Sequence, residues 1–138
     1  MPMLRPTLPS LAFLAIMATT GAAAAQDCND APTQAAMTEC AGDAYDEADR
    51  KLNETYKQIT DRLADAPNIK ASLKKAQRAW ITFRDAECEF TNAQAVGGSL
   101  YGALSTQCLA ELTEQRAEML QTYLQCEEGD MGCPVPEN

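Results

Sequence analysis

The sequence predicts an all-α fold, an antiparallel three-helix bundle with disulfide bridges and an irregular C-terminal tail. Apolar and small residues recur every three or four positions over two long stretches, no alternating strand pattern competes, and Pro67 and the Gly97-Gly98 pair punctuate the pattern.

The first helix carries its stripe on Met37, Cys40, Ala44, Ala48, Leu52, Tyr56, Ile59 and Leu63, with charged residues between them. Thr33, after Pro32, is its N-cap, and the helix stops before Pro67 because a residue preceding proline avoids helical angles. Asp65 to Asn68 form the turn. A second helix follows with Ile69, Leu73, Ala76, Trp80, Phe83, Glu87 and Phe90 along one stripe, which places Trp80, the only tryptophan, in the core. Gly97-Gly98-Ser99 breaks that helix, and Ser99 caps a third whose inward stripe is Leu104, Cys108, Leu112, Met119 and Tyr123. Residues 127–138 hold Gly129, Gly132, Pro134 and Pro136 and are expected to be irregular.

Arg5, an apolar run from Leu11 to Ala18, and the Ala23-Ala24-Ala25 stretch have the build of a secretory signal peptide over residues 1–25. The run falls short of the roughly twenty residues a membrane span needs, so no membrane anchor is expected after cleavage. Residues 26–138 are then a single domain, expected in the periplasm or secreted. All six cysteines lie in it, and an even number in an exported chain reads as disulfides rather than metal ligands. Cys88 and Cys108 sit about equally far from Gly98, so neighbouring antiparallel helices bring them together. Cys28 with Cys40 folds the N-terminal segment onto the first helix, and Cys126 with Cys133 closes a local loop; a crossed arrangement is left open.

The chain has 20 acidic and 11 basic residues, and loss of Arg5 takes the net charge from −9 to −10. Such a field disfavours nucleic acid and raises encounter rates with a cationic partner, although it also serves solubility alone. The absence of histidine rules out Ser-His-Asp and Cys-His catalysis. Asp43, Asp46, Glu47 and Asp49 cluster on one helix, but nothing marks one carboxyl as buried, so no enzyme, metal or cofactor is expected. The polar set Asp49, Asn53, Gln77, Arg84, Asp85, Thr113 and Arg116 lies near the apolar stripes. It forms a structural network, or else Arg84 and Trp80 border a groove that grips a partner. Gly97, Gly98, Ser99 and Tyr101 are candidate partner contacts, because two glycines let backbone approach another surface, though a tight reversal alone also uses them.

Four blocks fall in a recognisable order: CAGDAYDEADRKLNETY from Cys40 to Tyr56, AQRAWITFRDAEC from Ala76 to Cys88, the GGS turn, and CLAELTEQR from Cys108 to Arg116. In these the chain resembles the lysozyme inhibitor LprI-like family of small exported helical domains, one lipoprotein member of which inhibits lysozyme. Gln26 and Asp27 precede Cys28, so the cysteine that anchors a lipoprotein is not at the expected cleavage point. The resemblance implies the same Cys28–Cys40 pairing and a cationic lysozyme as partner, steered by charge and blocked at its cleft. The alternative is a periplasmic protein-interaction or envelope-maintenance module that binds another envelope protein or cell-wall component without inhibiting lysozyme.

Overall fold

The computed structural model describes residues 28–127 and 129–135; the expected leader and its cleavage point lie outside them. Three helices carry the fold: α1 (Gln34–Arg62), α2 (Pro67–Thr91) and α3 (Tyr101–Tyr123), with a short 3-10 turn at Ala93–Ala95. The Thr33 hydroxyl accepts a hydrogen bond from the Ala36 N–H at 3.1 Å and so caps α1. Proline opens α2 instead of ending a turn, because the first helical position needs no N–H donor. The reversal therefore occupies residues 63–66, two residues earlier than expected. Asn92 ends α2, donating its side-chain amide to the Cys88 carbonyl at 2.9 Å. Gly97 then adopts φ +82°, a left-handed conformation that other residues resist. Ser99 does not cap α3: Leu100 holds that position, and the Ser99 hydroxyl instead accepts from Gln34 Nε2 at 3.0 Å.

Successive helices run antiparallel, so α1 and α3 run parallel. Their contacts advance together, from Gln34 with Ser99 through the Lys51–Glu114 ion pair to Arg62, which donates to the Leu124 carbonyl. Small residues set this pairing. Ala41, Ala48 and Thr55 recur every seven residues on α1, and Ala103, Ala110 and Ala117 do so on α3; all six are buried. A seam of such short side chains lets the two backbones approach closely, with Leu52, Ile59, Leu63 and Leu120 filling the lower core.

This seam overturns two expected stripes. On α3 the buried positions are Ala103, Gln107, Ala110, Thr113, Arg116, Ala117 and Leu120, while Met119 is exposed and Leu104, Cys108, Leu112 and Tyr123 are only half-buried. Close packing favoured the short side chains over the bulkier ones one position away. On α2 only Cys88 is buried; Phe83 and Phe90 are 55% and 75% exposed, and Trp80 packs at the edge of the core. With α1 and α3 already satisfying one another, α2 leans on α3 and makes almost no backbone contact with α1.

Three disulfides brace the chain: Cys28–Cys40, Cys88–Cys108 and Cys126–Cys133. The second ties α2 to α3 at a Cα separation of 5.7 Å. The third holds a tail that is irregular, as its glycines and prolines indicate, yet delivers Val135 into the core beside Leu63 and Leu120. No helix among the described residues is long and apolar enough to cross a membrane.

Two substitutions test this packing. Ala110→Leu should overpack the α1–α3 seam and cost about 1–3 kcal/mol in urea unfolding. Replacing Cys88 and Cys108 with serine opens a loop of 20 residues and should cost about 3 kcal/mol, read as a lower denaturant midpoint.

Candidate functional site

The wide α1–α2 spacing leaves an open groove of about 350 Å³. Tyr45, Asp49, Asn53 and Tyr56 reach it from α1 at helical spacing, and Lys74, Arg78, Ile81 and Arg84 from α2, with Leu52 and Trp80 along its base. Arg84 is the organising residue. Its Nη2 pairs with Asp85 at 2.8 Å, Nη1 donates to the Thr113 hydroxyl at 3.3 Å, and its guanidinium carbon stands over the Trp80 ring at 5.2 Å and the Tyr45 ring at 5.9 Å. A cation over an aromatic face is worth about 0.5–2 kcal/mol, rising as water is excluded.

Arg116 approaches Trp80 from α3, its guanidinium carbon 5.9 Å from the ring centre. It donates to Gln77 Oε1 at 3.0 Å and to the Met119 sulfur at 3.2 Å, and among the described residues it has no carboxylate partner. Burial pulls its guanidinium below the ordinary arginine value, with Tyr123 acting weakly in the opposite direction. The indole and the Gln77 amide therefore take the place of a counter-ion.

The polar residues singled out from the sequence thus divide among separate contacts. Arg84, Asp85 and Thr113 form one connected set; Gln77 and Arg116 form a second, joined to the first through Trp80. Asp49 reaches neither arginine and instead accepts from Asn53 at 2.8 Å on the α1 side of the groove. Asp49 thus stays on the α1 side, and Asp85 is the carboxylate that holds Arg84.

The second candidate is the chain reversal at the opposite end of the bundle from the tail. Gly97, Gly98 and Ser99 are exposed, and Val96 beside them is 65% exposed. The reversal is firmly held: the Gly98 N–H donates to the Ala95 carbonyl at 2.9 Å, Ser99 is tied to α1, and Cys88–Cys108 closes the helices below it. Tyr101 is half-buried and lines a hollow of about 360 Å³ with Asp85, Glu89 and Ser105. Exposed acids, among them Asp43, Asp46, Glu47 and Glu54, cover the outer faces of α1. No group of three cysteine, aspartate or glutamate side chains converges as a metal site among the described residues.

Sequence reasoning missed the cationic wall of α2. From Pro67 to Arg84 the helix carries Lys70, Lys74, Lys75, Arg78 and Arg84 and no acid, a signal visible in a chain with nearly twice as many acids as bases.

A family model described as "Lysozyme inhibitor LprI" matches residues 24–120. An uncharacterized protein of Rhizobium meliloti (strain 1021) is 39% identical over 139 residues, covering 91% of this chain and 99% of the relative. No solved structure matches the chain.

The Arg116 arrangement makes a testable distinction. Gln77→Leu removes the acceptor of a buried guanidinium and should cost about 1–3 kcal/mol. Arg116→Met, which removes the charge itself, should cost less; a larger loss for Arg116→Met in the same urea titration would show that the cation stabilises the fold through Trp80.

Proposed function

Because the chain belongs to the lysozyme inhibitor LprI family, we propose that it is an exported inhibitor that binds a cationic lysozyme and blocks its substrate cleft. The observation that carries this reading is the family match across residues 24–120, which spans all of α1 and α2 and nearly all of α3. The proposed role is binding, and the absence of histidine is in keeping with it in excluding Ser-His-Asp and Cys-His catalysis.

The physical route has two stages. Exposed carboxylates on α1 attract a cationic partner and raise the association rate, most strongly at low salt. The Gly97–Ser99 reversal then enters the cleft, with Val96 and Phe90 supplying apolar contact. Its internal hydrogen bonds, the tie to Gln34 and the disulfide below it hold the loop in shape before binding, so little conformational entropy remains to be lost. Gly98 has a structural reason as well: a Cβ there would meet the Ala95 carbonyl oxygen at 3.1 Å.

A second reading, an envelope-interaction module without lysozyme inhibition, draws on the basic wall of α2, which a cationic partner would avoid.

Lysis of cell-wall substrate by a cationic lysozyme should be inhibited stoichiometrically by the oxidised protein. Inhibition should weaken as salt rises from about 0.05 to 0.5 M, where the screening length drops severalfold. Reversing Asp46 and Glu47 to lysine should slow association about tenfold with little change in dissociation, whereas Val96→Asp should mainly speed dissociation. Full lysis at excess oxidised protein, with no binding at low salt, would sink the inhibitor reading.

A further inference from the structure

We propose that the groove between α1 and α2 is a binding site for a carboxylate-bearing sugar, separate from the lysozyme-blocking loop. Three observations converge on that chemistry.

The first is uncompensated positive charge. Three of the four cations of α1 pair with acids, Arg50 with Glu47 and Glu54, Lys51 with Glu114, and Lys57 with Asp61, and the fourth, Arg62, donates to the Leu124 carbonyl. Lys74 and Arg78 at the groove have no ion-pair partner among the described residues, although the chain has 20 acids against 11 bases. Two free cations at i and i+4 on one wall present a landing point for an anion. Arg84 lies six residues further along the helix, held in place by Asp85, Thr113 and the Trp80 ring, and also lines the groove.

The second observation is the opposite wall and base. Tyr45 and Tyr56 bring aromatic surface with hydroxyl groups, Asn53 and Asp49 bring an amide and an acceptor, and Leu52 with Trp80 gives an apolar base. Aromatic surface beside planar polar side chains suits a sugar ring, which has an apolar face and a rim of hydroxyls.

The third observation decides between a sugar and an acidic peptide. Both walls are α-helices whose backbone groups are spent within the helices, so an extended peptide would find no ladder of donors and acceptors. A helical peptide, about 10–12 Å across with its side chains, could set only one row of side chains into an open groove of about 350 Å³. A ligand of one or two rings satisfies its polar groups through side chains alone and fits that volume.

Trp80 is the only tryptophan and lines the groove, so its fluorescence reports occupancy directly. The oxidised protein would be titrated with N-acetylmuramic acid, glucuronic acid, neutral N-acetylglucosamine and a glutamate-rich hexapeptide, with no lysozyme present. This keeps the outcome independent of the inhibitor reading. We expect a saturable change with the acidic sugars and affinity at least about tenfold lower for the neutral sugar. Lys74→Ala with Arg78→Ala should weaken the acidic sugars by about tenfold or more, with circular dichroism unchanged because both residues are exposed. Lys75→Ala, outside the groove, should leave binding intact. Tighter binding of the muramic sugar would assign the ligand to the cell wall, and tighter binding of the uronate to an acidic polysaccharide. Equal response to the neutral sugar, equal or tighter binding of the peptide, or no saturable response to any probe would overturn the proposal.

Discussion

The close parallel pairing of α1 with α3 is the constraint on which the rest of this structure depends. Two helices can approach closely only where side chains are short, and here Ala41, Ala48 and Thr55 meet Ala103, Ala110 and Ala117 along a seam of seven-residue spacing. That choice leaves larger apolar residues for the lower core, where Leu52, Ile59, Leu63 and Leu120 pack and Val135 returns from the tail to cover them. It also leaves α2 with no comparable face to bury. The second helix is held by a disulfide, by two arginine contacts and by the half-buried Trp80, and a groove opens on its α1 side.

Charge divides along the same lines. α1 carries seven acids against four bases, and three of those cations pair with carboxylates, while the first two-thirds of α2 is purely basic. Between them Trp80 stands near two guanidiniums, one paired with Asp85 and one with no acid. An acidic exterior suits encounter with a cationic enzyme, and the basic groove suits a small anion. The two surfaces are compatible on one domain because they lie on different helix faces and differ in scale.

Much of the helix framework was legible in the sequence, because its signals are local. Thr33 announces the start of α1 through its own hydroxyl, Pro67 and Gly97 mark the reversals through backbone geometry, and the short helix-to-helix connection pairs Cys88 with Cys108. The inward faces were less legible, because counting large apolar residues favours Leu104, Leu112 and Met119 over alanines that bury little area yet determine how near two helices come. The alanine spacing was present in the sequence; what it lacked was the identity of the partner helix. Phe83 and Phe90 show the converse, an apolar stripe at helical spacing whose exposure follows from where α2 is left to sit. The candidate groove was readable only in part: Arg84 and Trp80 point to it, but the Asp49–Asn53 pairing and the unpartnered Lys74 and Arg78 depend on a helix separation that no local pattern encodes.

Native-state hydrogen exchange, resolved by residue, tests this ordering of the helices most directly. Amides of α1 and α3 around Ala48–Ile59 and Ala110–Leu120 should exchange only through global unfolding, while those of α2 from Leu73 to Trp80 should open at a free energy lower by about 2 kcal/mol or more. Uniform protection across all three helices, or α2 as the most protected element, would contradict the account that the α1–α3 seam organises the fold and leaves α2 and its groove at the edge.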